Sequence, residues 1–374
     1  MRIDFTQREN ELSRALSARK APYLDLTVSN PTAVGLPYQE ERILGALAGP
    51  AVLRYQPHPR GLPAAREAVA EYYGGIDPER VVLTASTSEA YAWLFKLLCD
   101  GGDEVLVPEP SYPLFTFLTG LESVRAVPYP LRWDGEWHLD FASLRFSPRT
   151  RAVLVVSPGN PTGAYLKREE KEALERACAA HRCALICDEV FADFPSAADP
   201  RRAGSAVGFE GTLVFALSGL SKVAGLPQVK LGWLVAGGPG AREALHRLEL
   251  IADTYLSVST PAQLAARELL ATRHSFQRAL GERLRVNRAA LERSRPAGAP
   301  WDVLESEGGW SAVLSVPRSK GEEEWALSLL EAGVLVQPGY FYDFPSGSHL
   351  VLSLLPPPEE FARGAALLGT ELGR

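Results

Sequence analysis

The sequence predicts an α/β protein with a large domain, whose mostly parallel sheet is sandwiched between helices, and a smaller α+β domain. The first reason is length, because 374 residues exceed what one core sustains, roughly 250 to 300. The second is rhythm: from about residue 62 onward, short β-branched runs alternate with longer helical patterns, as β-α-β units do. The third is a change near Leu250 to long helical stretches, running to about Arg293 and followed by strand-like segments. The expected division is residues 1–44 as an N-terminal arm and part of the small domain, 45–250 as the large domain, and 251–374 as a linking helix and the C-terminal small domain.

In order, the expected strands of the large sheet are Val81–Thr84, Glu104–Val107, Ala152–Val156, Ala184–Cys187, Leu213–Leu217 and Trp233–Ala236. Helical patterns fall between several of them, notably Ser88–Leu98 and Arg168–His181. In the second part, Ser311–Val316 and Leu350–Leu354 read as strands. The proline run at residues 356–358 stops the last strand before a final helix starting near Glu359.

Hydrophobic residues make up 46% of the chain and charged ones 22%, an ordinary globular composition. A net charge of -6 supplies no field for a polyanion, and no aromatic and basic residues interleave as a nucleic-acid strand would require. No apolar run approaches the roughly 20 residues of a membrane span, and residues 1–10 lack a signal-peptide core. A cytoplasmic setting is therefore expected. Cys178, Cys183 and Cys187 crowd one helix-to-strand passage and Cys99 stands alone, unlike the spacing of a zinc site. They read as reduced, mostly buried residues, and no metal is expected.

Three polar motifs follow three expected strands: Ser157-Pro-Gly-Asn-Pro-Thr-Gly163, Asp188-Glu-Val-Phe191 and Ser218-Gly-Leu-Ser-Lys222. Strand C-termini line the ligand crevice of an open parallel sheet, so these loops are expected to converge on one small molecule. A lysine amine condenses with an aromatic aldehyde cofactor and later shuttles a proton at the substrate's α-carbon, which makes Lys222 the catalytic candidate. A carboxylate facing a pyridine nitrogen keeps it protonated, a task for Asp188, although aspartate is equally at home as a helix N-cap. Asn160 is placed to donate to a phenolic oxygen. Ser86, Thr87 and Ser88 turn a strand into a helix and offer free N–H groups and hydroxyls to a phosphate. Ser86 with Glu89 also fits a plain capping box.

Taken together, these residues resemble the class I/II aminotransferases, the fold type I enzymes that depend on pyridoxal phosphate (PLP), over most of the chain. Tyr55 followed by Gly61-Leu-Pro-Ala-Ala-Arg66 is similar to the family segment whose tyrosine reaches the phosphate of the neighbouring subunit. Gly102 to Pro113 resembles the segment whose aromatic residue stacks on the cofactor ring, here Tyr112. The resemblance implies that residues 45–250 bind PLP, with Lys222 carrying it as a Schiff base and Asp188 at the ring nitrogen. It also implies a homodimer with shared active sites, in which Tyr55 acts in trans, and weaker roles for Tyr255 and Ser259.

Several positions depart from that pattern. Lys230 stands where a phosphate-binding arginine is usual, keeping the charge but losing the bidentate fork. Gly219 replaces a common phosphate-contacting serine, for which Ser218 is the neighbouring substitute. Phe191 occupies the place of a tyrosine that donates to the phenolic oxygen. Val351 replaces the arginine that clamps the substrate's α-carboxylate. The expected reaction is transamination, from an amino donor through pyridoxamine phosphate to a 2-oxo acid or another carbonyl. A PLP-dependent lyase or decarboxylase is the alternative on the same scaffold. A PLP-binding regulator would need a DNA-binding segment that the N-terminal sequence does not show.

Overall fold

A computed structural model describes residues 9–373. Eight strands form the large sheet in the order Val81–Thr84, Gly232–Gly237, Val214–Gly219, Ala184–Asp188, Thr150–Val156, Glu104–Glu109, Arg125–Trp133 and Trp137–Leu139. The run from Val214–Gly219 to Arg125–Trp133 is parallel throughout. Gly232–Gly237 is antiparallel to both neighbours, and Trp137–Leu139 folds back on Arg125–Trp133.

Alternate residues of these strands enter different cores. Leu185, Cys187, Val214 and Ala216 face one helical layer, while Ala184, Ile186, Phe215 and Leu217 face the other. Every residue of Ala184–Asp188 and Val214–Gly219 is buried, so these strands read as continuous apolar runs in the sequence. The Arg125–Trp133 and Trp137–Leu139 strands were not among those expected. The first carries Pro128 and Pro130 and is only partly buried, so neither β-branched enrichment nor clean alternation marks it.

The small sheet is antiparallel, in the order Asp302–Val303, Ser311–Ser315, His349–Ser353 and Gln337–Pro338. Leu314, Leu350 and Leu352 join Trp325 and Phe361 in a separate core that also takes Leu12 and Leu26 from the N-terminal segment. Between the cores runs the helix Thr260–Arg293. Its start puts Ala262, Ala266 and Leu269 into the large core, and its end puts Ala290 and Leu291 into the small one. Among the described residues no helix is long and apolar enough to cross a membrane, and no cluster of metal-ligating side chains occurs.

Candidate active site

The three polar motifs leave the C-terminal ends of adjacent parallel strands, Thr150–Val156, Ala184–Asp188 and Val214–Gly219. That adjacency brings them to one cavity of about 460 Å³. Ser86, Thr87, Ser88, Tyr112, Asn160, Asp188, Phe191, Lys222 and Lys230 all line it. Four sequence-predicted residues do not. Ser218 is wholly buried within its strand and its hydroxyl has no hydrogen-bond partner among the described residues, whereas its neighbour Gly219 reaches the cavity wall. Tyr55 is 77% exposed and sits in a separate small cleft beside Ser257 and Val258. Tyr255 and Ser259 also lie off the cavity, at the end of one helix and the start of the next.

Asp188 closes its strand with both carboxylate oxygens engaged. Tyr91 donates to Oδ2 at 2.7 Å and the Val190 N–H to Oδ1 at 3.1 Å. Burial raises the carboxyl pKa, and the Tyr91 hydroxyl, the Val190 amide and the Lys222 charge pull it back down. Tyr91 itself is pushed well up by burial and by Asp188, so its phenol stays a donor. Burial lowers the Lys222 pKa, against the opposing pull of Asp188, and favours the neutral amine. The Lys222 Nζ lies 5.0 Å from the centroid of Trp310 and 5.6 Å from that of Phe191, whose rings meet edge to face.

The short turn that holds the lysine, Leu220–Val223, is anchored from behind. Gln277 donates to Val223 O at 2.8 Å and to Asp193 at 2.6 Å, and Asp193 also accepts from Tyr72. On the opposite wall, the helix Thr87–Leu98 begins with half of a capping box: Ser86 Oγ accepts from the Glu89 N–H, while Glu89 Oε2 reaches past the cap residue and accepts from the Ala85 N–H. The Ser86 oxygen and the Glu89 amide are thereby spent, leaving the first amides of the helix and the Thr87 and Ser88 hydroxyls for a ligand. Gly232 closes this corner. A Cβ there would lie 3.1 Å from Thr84 Oγ1 and from the Ser86 carbonyl carbon.

Sequence reasoning missed Tyr91 and the far wall, formed by Thr27, Ser29, Trp310, Ser311, Gln337, Tyr342 and Ser353. Tyr91 had a signal, because it follows Thr87 by four residues on one helix and so shares its face. The far wall had none, since it joins segments about 300 residues apart in sequence. Val351 is fully buried against Trp137, Leu304, Val313 and Tyr342, and does not reach the cavity. A larger, more open hollow of about 560 Å³ lies at the opposite ends of Val81–Thr84 and Gly232–Gly237, beside Arg60 and Arg80, and holds none of the motif residues.

The profile of the family described as aminotransferase class I and II matches residues 22–358. The glutamate-pyruvate aminotransferase AlaA of Escherichia coli (strain K12) is 25% identical over 359 residues, covering 89% of this chain and 86% of its own. The aspartate/prephenate aminotransferase of Thermus thermophilus is 29% identical over 345 residues, covering 86% and 84%. In fold, an alanine aminotransferase from Pyrococcus furiosus superposes with a TM-score of 0.84 at 24% identity, over 96% of this chain and 95% of that one.

Proposed function

The chain belongs to the class I and II aminotransferases, PLP-dependent enzymes that pass an amino group from a small donor to a carbonyl acceptor, and we propose that Lys222, Asp188 and Asn160 are the residues on which that chemistry turns here. The donor set of the cavity fits the cofactor group by group. There is an amine for its aldehyde, a carboxylate for its ring nitrogen, an amide for its phenolic oxygen, and a helix start with a lysine for its phosphate. When bound, PLP supplies an electron-poor ring that accepts the electron pair released as a bond to the amine-bearing carbon breaks.

The protein's part is to hold and to move protons. Thr87 and Ser88 would donate to the phosphate at the start of the helix, and Lys230 would balance part of its charge. Tyr91 and the Val190 amide donate to Asp188 and oppose the rise that burial imposes on its pKa, and as a carboxylate it would hold a proton on the ring nitrogen. Asn160, whose side chain has no hydrogen-bond partner among the described residues, is free to donate to the phenolic oxygen. Lys222 Nζ tethers the cofactor. Made less basic by burial, it can then take a proton from the substrate's α-carbon and return it. Tyr112, which lines the same cavity, would cover the ring, and Phe191 closes the wall without offering a hydrogen bond.

The observation that carries this reading is the convergence, in one cavity, of an amine that forms no ion pair among the described residues with a buried carboxylate and a helix N-terminus. The acceptor we read as a 2-oxo acid or a related carbonyl, as the names of the relatives suggest. The high exposure of Tyr55 supports a homodimer in which it completes the partner's site. Four free cysteines support a cytoplasmic setting. Borohydride reduction and peptide mapping test the core of the proposal: the pyridoxyl group is expected on Lys222, and Lys222→Ala is expected to abolish turnover. A label on another lysine overturns the assignment. Formation of pyridoxamine phosphate without release of ammonia or carbon dioxide distinguishes transamination from lyase or decarboxylase chemistry.

A further inference from the structure

The charge inventory of the cavity is short. Among the described residues that line it, only Asp188, Lys222 and Lys230 are charged, and both cations are committed. Lys222 is the reactive amine. Lys230 lies two residues before Gly232, which packs against Ser86, and so belongs to the phosphate corner. The far wall, made of Thr27, Ser29, Trp310, Ser311, Gln337 and Tyr342, carries no charge at all.

Behind that wall the strands are apolar where a cation would have to enter. Val351 pairs in register with Gln337 and is fully buried among Trp137, Leu304 and Val313. Two guanidinium groups that contact residues of the cavity wall are turned to backbone. Arg283 donates to the carbonyls of Val34 and Leu355, and Arg288 points at the carbonyl of Ser311. Neither lines the cavity.

What the wall does offer is an oriented neutral donor. The Tyr342 hydroxyl donates to Gln337 Oε1 at 2.5 Å, and burial pushes the phenol up to about 12, so it remains protonated in this role. The Gln337 Nε2 is left with no acceptor among the described residues. A carboxylate desolvated here would meet one amide in place of a guanidinium fork, and the ring of Trp310 in place of water. An uncharged group loses nothing by the exchange.

We propose that the amino donor is a primary amine whose reacting carbon carries no free carboxylate, seated against Trp310 and Tyr342 and oriented by the Gln337 amide. This rests on the reading of the same cavity as the aminotransferase site. It departs from the amino acids for which the relatives are named, and it turns on residues of this chain alone.

The test is half-reaction kinetics on the holoenzyme, with substrate pairs that share a side chain and differ only in the α-carboxylate. The amine of the best pair is expected to exceed its amino acid in kcat/KM by about tenfold or more. Gln337→Arg, checked for an unchanged thermal midpoint, is expected to shift the preference toward the amino acid by a similar factor. A wild-type preference for the amino acids overturns the inference, as it would if a guanidinium entered from the partner subunit. Inertness of every amine in the panel overturns it as well. If Gln337→Arg folds poorly, the wild-type comparison decides alone. Borohydride labelling of Lys222 in the same preparation separates the two levels: label on Lys222 with amino-acid preference sinks this inference only, whereas no label there sinks the parent reading.

Discussion

Burial raises the pKa of Asp188 at its strand end and two donors oppose that rise, of which Tyr91 is the one a mutation can remove. Without the phenol, the carboxyl pKa rises further, since burial is already its largest perturbation and Tyr91 the largest opposing one. The carboxyl then more readily takes up a proton of its own and ceases to be a counter-charge for the ring nitrogen. Tyr91→Phe is therefore expected to weaken PLP binding by about tenfold, the worth of one charge-assisted hydrogen bond. Equilibrium titration of the apo-protein with PLP at neutral pH measures this, with Asp188→Asn as the more severe reference. Unchanged affinity in Tyr91→Phe would leave the tyrosine a packing residue only. Deletion of one hydroxyl is a mild change, and the ring would keep its contacts with Phe95 and Phe115.

Gly163 ends the Asn-Pro-Thr-Gly motif at φ +72°, and a Cβ there would fall 2.0 Å from Ser306 Oγ and 2.4 Å from Gly308 O. The glycine is thus required twice, by its backbone conformation and by the close approach of residues 306–308. Gly163→Ala is expected to cost about 2 to 4 kcal/mol, read as a lower midpoint in denaturant, and to reduce PLP affinity because Asn160 rides on the same turn. A midpoint like that of wild type would show that the contact yields freely. At this scale most of the sequence was legible. Val81–Thr84 and Arg168–His181 match the expected bounds, because a buried strand with β-branched residues and a helix with acidic first and basic last turns announce themselves. The proline-bearing strand Arg125–Trp133 was not legible, since its pairing on both sides is decided by neighbours rather than by its own composition. Motifs on strand ends were legible for the same reason the strands were. Gln337, Tyr342 and Trp310 became visible only when tertiary folding brought the small sheet and its flanking residues to the cavity at the strand ends of the large one.

For the molecule as a whole, the exposed stretch around Tyr55 has the largest consequence. Tyr55 and Leu53 are 77% and 88% exposed, and Leu44 nearby is 65% exposed. A second copy of the chain seated there would cover these side chains and bring Tyr55 toward a phosphate corner other than its own. Sedimentation is expected to give twice the monomer mass, and Tyr55→Phe to lower PLP affinity by about tenfold with no change in that mass. A monomeric mass, or a Tyr55→Phe variant that binds PLP as tightly as wild type, would refute the trans role. The helix Thr260–Arg293 has a different kind of consequence. Because it is embedded at one end in the core of the large sheet and at the other in the core of the small one, neither core can melt without stripping the helix of half its packing. Heat and denaturant therefore meet a single cooperative unit, and a chain cut at residue 250 would yield two fragments with open apolar faces in place of two foldable domains.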